Sequence, residues 1–331
     1  MKNFYESEEE GINLEEVKSA IEKIVNSPEN KRIDLNYFRD VKKIIDGKEI
    51  YVFPVEMLKA DIKEVGDKTR WIKKQKAQLS DKERNANAVA EFVEVAIPET
   101  IRKLKWLGDK IKVIRPSLYD DYFNGIDNVI QMLPDEIVEN ENDIKCIGFS
   151  IDFTISDEQA EKKMIDAILD IVSGKVPLMK YFNTDIKTKH GYKNIKIRDF
   201  QIPKIIMSCP HKILSESQDD LLNFEKNPND IDIKNKAENT SLRYYFIRET
   251  LSQLKFFSAL AEKVGNIAAK ILYENALHSF EEMIENQGIN ESVLDKKVGK
   301  ISGTVGKFDL EADDGKIIEI FKVMAAQNKK R

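Results

Sequence analysis

The sequence predicts an α/β chain: a core of helix, three strands, helix and two strands, with an N-terminal helical extension and a C-terminal helical region. Three observations predict it. Short runs rich in Val and Ile, bounded by turn residues, recur at about 111–115, 126–133 and 144–153, which is a strand pattern. Apolar residues at helical spacing flank these runs, over about 82–107 and again after Ser156. From 238 to about 287 the apolar positions recur with a helical period, and strand signals are missing. The boundaries that follow are 1–84 for the extension, 85–214 for the core and 215–331 for the C-terminal region.

Taken in order, Ile12, Val17, Ile21, Ile24 and Val25 form one helical stripe, and the SPEN turn ends it. A short helix, a Gly turn and a small strand at 49–53 follow. Residues 56–80 form a charged helix in which Lys68, Arg70, Lys73, Lys74 and Lys76 surround Trp71. A basic segment with an embedded aromatic can track a phosphate backbone and stack on a base. It also reads as a solvated face with Trp71 packed inward, since Asp61, Glu64, Asp67 and Asp81 dilute the charge. In the helix at 82–107, Val89, Phe92, Val93, Ala96, Ile97, Ile101, Leu104 and Leu107 pack on a core. Pro98 is expected to kink or split it, and Gly108 ends it.

After the three strands, Ser156 caps a helix that Gly174 stops. VPLMKYF (176–182) and IPKIIMSCP (202–210) read as strands. Between them lies a polar, basic loop, in which Lys187, Lys189, His190, Lys193, Lys196 and Arg198 are either solvated or in contact with phosphates. Residues 215–236, punctuated by Pro228, read as a loop. Two helices then fill 238–287 with a break near Gly265, and a short helix near 316–325 precedes a basic tail.

Composition excludes several classes. With 41% hydrophobic and 34% charged residues, the 331-residue chain supports a sizeable core under a charged surface. A net charge of −5 argues against a uniformly basic nucleic-acid coat and leaves room for a local basic groove. Cys146 and Cys209 form no Cys-x-x-Cys pair, which argues against a disulfide framework or a structural zinc. His190, His211 and His278 are scattered and suggest no triad. Neither Gly-x-x-x-x-Gly-Lys-Ser/Thr nor Gly-x-Gly-x-x-Gly occurs. The first residues lack a signal-peptide core, and no apolar run approaches the roughly 20 residues of a membrane span. A cytoplasmic location is expected.

Asp120, Asp121, Asp127 and Asp152 punctuate the three strands, and Asp127 and Asp152 fall inside strand runs. A carboxylate there is costly unless paired, hydrogen-bonded or bound to a metal. The plainer reading has Asp120 and Asp121 capping a turn and the other two at strand ends near solvent.

This element order, with acids in GIDNVI and FSIDFT, resembles the restriction-endonuclease-like, or PD-(D/E)XK, nuclease superfamily. The resemblance implies a restriction-endonuclease-like core over roughly 86–210 and a magnesium- or manganese-dependent phosphodiester hydrolase acting on DNA or RNA. It implies Asp127 as the second-strand ligand, Asp152 as the third-strand ligand and Glu91 as the helix acid, with Glu94 as its substitute. Asp121 is an alternative strand-end ligand. The family's lysine two residues after the third-strand acid is Thr154 here, which supplies no cation. Lys180 is the first candidate to replace it, ahead of Lys145 and Lys163. Lys73, Lys74, Lys189 and Lys193 are the candidate nucleic-acid contacts. Because of Thr154, the alternative is a catalytically inactive scaffold on the same fold, binding nucleic acid or a protein partner. The helices at 238–287 would then offer a surface to that partner or to a second copy of the chain.

Overall fold

The computed structural model describes residues 14–45, 48–132, 147–188 and 191–299. Lys145, Cys146, Lys189, His190, the start of the chain and the helix and basic tail expected after 315 lie outside the described residues.

The chain folds as a mixed α/β structure around a small mixed sheet. The N-terminal part comprises α1 (Leu14–Val25), 3-10 turns at Pro28–Asn30 and Leu35–Phe38, a hairpin of β1 (Lys42–Ile45) and β2 (Lys48–Tyr51), and α2 (Val55–Ala77). Then come α3 (Asp81–Leu104), β3 (Ile111–Ile114), α4 (Leu118–Asn124), β4 (Asn128–Met132), β5 (Ile147–Thr154) and α5 (Asp157–Val172). The hairpin β6 (Leu178–Thr188) and β7 (Gly191–Gln201) precedes β8 (Lys204–Ser208). The helices α6 (His211–Lys226), α7 (Ile231–Glu238), α8 (Ser241–Val264), α9 (Ile267–Glu285) and α10 (Glu291–Val298) follow.

The central sheet has the order β3-β4-β5-β8. β3, β4 and β5 form an antiparallel meander, and β8 joins parallel to β5, pairing Asp152 with Ile206. A parallel pair needs a long crossover, and α5 with the β6–β7 hairpin supplies it. Along β5, Phe149, Ile151 and Phe153 enter the main core while Ser150, Asp152 and Thr154 alternate onto the other face.

That main core is continuous. It includes Val93 and Ile97 of α3, Met164 and Ile168 of α5, Phe257 of α8 and Phe280 of α9. Phe149 meets Phe280 edge-on, ring centroids 5.4 Å apart. The outer edge of β8 would leave backbone groups unpaired, and buried Gln253 of α8 takes the place of a neighbouring strand. It accepts from the Ile206 N–H at 2.8 Å and donates to the Ile206 carbonyl at 2.6 Å.

Several expectations are corrected. The helix α3 runs unbroken through Pro98. Proline deprives the Glu94 carbonyl of its helical donor, and the Asn128 side chain donates to that carbonyl instead, at 3.0 Å. The same bond ties the start of β4 to α3. The expected basic loop between 182 and 202 is largely the β6–β7 hairpin; its polar outward positions hid the strand pattern. The expected loop at 215–236 holds α6 and α7, because Leu214, Ser217, Leu221 and Leu222 recur on one buried helical face. Pro228 lies between the two helices. A short helix, α4, also separates the first two strands of the meander. Trp71 does not pack inward: it is 53% exposed, with Lys68 Nζ 4.4 Å from its ring centroid.

Candidate functional site

The site begins at the turn that closes α4. Gly125 adopts a left-handed conformation (φ +59°). A Cβ there would stand 2.7 Å from Lys204 Nζ and 2.9 Å from Asp152 Oδ2. Glycine therefore serves both the turn and the close approach. The turn delivers Asp127 to the mouth of β4, where its N–H donates to the Ile151 carbonyl at 2.8 Å. Its Oδ2 accepts from the Phe153 N–H at 2.6 Å. This carboxylate thus lies along β5, next to Asp152.

Asp152 is 4% exposed and is held by two ammonium groups. Lys163 of α5 bonds Oδ1 and also donates to the Phe153 carbonyl at 3.2 Å. Lys204, at the start of β8, approaches Oδ2 at 3.0 Å and donates to the Asn124 carbonyl at 3.1 Å.

Glu94 joins them from α3. Burial, then the charges of Asp121 and Glu91, raise its carboxyl to about 7. Asp127 is pushed well above the usual carboxylate range by burial and then by Glu94, Asp152 and Asp121. Asp121 is raised by burial, against the pull of Arg32 and Arg115. Arg32 Nη2 lies 2.6 Å from Asp121 Oδ2. Four carboxyl groups, from α3, α4, the turn before β4 and β5, therefore sense one another's charge, with two lysines and two arginines around them.

Sequence reasoning placed some of these residues and misplaced others. Asp127 and Asp152 are brought together. Glu91 is turned aside: it pairs with Lys76 at 3.4 Å and lines a surface groove of about 370 Å³ with Lys18 and Ile21. Glu94, its substitute, is the helix acid that couples to Asp127. Lys180 belongs to a different cluster, where its Nζ lies 2.6 Å from buried Asp61 and 4.3 Å from the Tyr119 ring. The Tyr181 hydroxyl donates to the same Asp61. Lys163 occupies the place proposed for Lys180. Thr154 faces α5, donating to Gln159 Oε1 and accepting from the Ser156 N–H, both at 3.2 Å.

Asp120 is fully buried and structural. It accepts from Ser117 Oγ, Asn124 Nδ2 and the Lys180 and Tyr181 N–H groups. Lys73 and Lys74 are exposed on the last turns of α2, and Lys193 is exposed on β7. Lys204, Arg32 and Arg115 went unnoticed in the sequence. A lysine opening the otherwise apolar strand KIIMS was the signal for Lys204; no local signal marks the arginines.

Carboxylate oxygens suit a hard divalent cation such as magnesium or manganese, and acids that repel one another would favour added positive charge. Among the described residues no group of three or more His, Cys, Asp or Glu already stands in a metal-holding arrangement. The ammonium groups on Asp152 occupy the oxygens a metal would take.

No family model matches the chain, and no curated protein or solved structure matches it. Among the described residues, no helix is long and apolar enough to cross a membrane.

Proposed function

We propose that the chain is a divalent-metal-dependent phosphodiesterase acting on nucleic acid, built on a divergent PD-(D/E)XK core. The order α3, β3, β4, β5, α5, β8 supports this reading. One observation carries it: Asp127, just before β4, lies within electrostatic reach of Asp152 on the neighbouring β5 and of Glu94 on the preceding helix, and Lys163 reaches Asp152 from the following helix.

In this reading Glu94, Asp127 and Asp152 would hold the cation once Lys163 cedes Asp152 Oδ1 to it, and the ion would supply the charge that activates water and stabilises the departing oxygen. Lys163 supplies the fixed positive charge that Thr154 lacks, stabilising negative charge on the phosphate in the transition state. Lys204 steadies Asp152 from its other oxygen. The test is incubation with labelled single- and double-stranded DNA and RNA in magnesium or manganese. Cleavage by the native protein, abolished in Asp152→Asn, is expected. An inert native protein with every substrate and ion would overturn the reading.

One observation favours a second reading, a nuclease-like scaffold without activity: two lysines already neutralise Asp152. In that case divalent ions leave the melting temperature unchanged, because no ligand prefers the native state.

A further inference from the structure

Residues 68–80 carry Lys68, Arg70, Lys73, Lys74 and Lys76 and no acid, in a chain whose net charge is −5. From Arg70 to the end of α2 every residue is exposed except half-buried Ile72. Trp71 stands in this stretch with 53% of its surface open to solvent. Lys68 and Lys74 lie three residues before and after it, so the three side chains share one stripe of the helix. Lys68 Nζ is 4.4 Å from the ring centroid. Asp67, the nearest acid on that stripe, pairs with Arg70, and Lys74 has no acidic partner among the described residues. Lysines in a last turn complement the helix dipole, which accounts for Lys74 and Lys76. It does not account for an exposed tryptophan between two ammonium groups. An open ring flanked by cations suits unpaired bases, which stack on the ring while their phosphates meet the ammonium groups. An acidic peptide would use the lysines and leave the ring idle.

We propose that Trp71, with Lys68 and Lys74, is a stacking platform for single-stranded nucleic acid. This rests on the phosphodiesterase reading for the class of ligand and names its form: in a duplex the bases are stacked on one another and their faces are not free for the ring. The platform is accessory to the acid cluster. Thr69 Oγ1 lies 3.4 Å from the hydroxyl of Tyr122, which follows Asp121, and Lys76 Nζ lies 3.4 Å from Glu91, about one turn before Glu94. Thr69 and Lys76, seven residues apart, therefore mark the face of α2 turned towards the acids. Trp71, two residues on from Thr69, points about 200° round the helix from it. The platform holds a strand alongside the cluster and takes no part in the chemistry.

Trp106 is fully buried, with its indole N–H donating to the Ala237 carbonyl at 3.2 Å, so the long-wavelength tryptophan emission belongs to Trp71. The full chain in EDTA, where cleavage cannot interfere, is titrated with short oligothymidylate and oligouridylate at several salt concentrations, with a duplex and polyglutamate in parallel. Quenching of the long-wavelength emission by single strands is expected, and the strand that quenches at the lower concentration tells DNA from RNA. Read by anisotropy of a labelled strand, Trp71→Ala should weaken binding about tenfold with the salt slope unchanged, and Trp71→Phe should restore part of the affinity. Lys68→Gln and Lys74→Gln should each lower the salt slope by about 0.7.

Emission that no single strand changes, or unaltered affinity in Trp71→Ala, would overturn the platform. So would quenching by polyglutamate or by the duplex as strong as that by the single strands. Each of these results leaves the metal reading to its own cleavage assay. Absence of cleavage with intact Trp71-dependent binding would sink the metal chemistry alone.

Discussion

Replacing Glu94 with glutamine should stabilise the metal-free protein. In the folded chain the Glu94 carboxyl titrates at about 7, against an ordinary value of 4.5. Holding it ionised above that pH costs about 3 kcal/mol, at 1.36 kcal/mol per pH unit of displacement. Partial exposure to solvent reduces this to about 2 kcal/mol. The folded state binds a proton that the unfolded chain has released, so stability falls as pH rises from about 4.5 to 7 and the penalty is complete above 7. Glutamine carries no charge to penalise. Urea denaturation in EDTA should find Glu94→Gln more stable by about 2 kcal/mol near pH 8, with the gain vanishing towards pH 4.5. Manganese should raise the stability of the native protein near pH 8 and leave Glu94→Gln unchanged. A variant less stable than the native protein near pH 8, or a difference independent of pH, would refute the placement of Glu94 among other carboxylates.

Other changes probe separate parts of the account. Gly125→Ala forces a left-handed alanine against Lys204 and Asp152; a loss of at least about 1 kcal/mol in urea denaturation is expected, with loss of metal response. Lys163→Met should abolish cleavage, whereas Lys180→Met should spare the chemistry and lower the melting temperature, because it strands buried Asp61. Gln253→Leu removes both bonds to the edge of β8, costing about 2 kcal/mol by denaturant titration.

Much of the fold was legible because its strands and helices carry the right period. The runs at 111–115, 126–133 and 144–153 hold β3, β4 and all of β5 but its last residue, Thr154. The start of β6 was legible in VPLMKYF, but the rest of the β6–β7 hairpin and most of α6 were hidden for one reason: their apolar residues are sparse enough among polar ones to pass for a loop. Asp127 and Asp152 stood out because a charge in an apolar strand demands an explanation. Whether Glu91 or Glu94 faces inward depends on the rotation of α3, which the Asn128 bond to the Glu94 carbonyl helps to fix and which spacing alone leaves open. Lys163 could not be ranked above Lys180 because one helical turn of α5 must first be laid against β5. The arginines were invisible, since Arg32 reaches Asp121 only through tertiary packing.

The claim on which the account depends is that Asp127, Asp152 and Glu94 together take one hard cation. Titration of manganese into the metal-free protein, read by electron paramagnetic resonance of the free ion, measures this directly. The account predicts saturable binding that disappears in Asp127→Asn while the variant stays folded. Manganese that remains free throughout the titration of the native protein, or binds Asp127→Asn equally well, would contradict it.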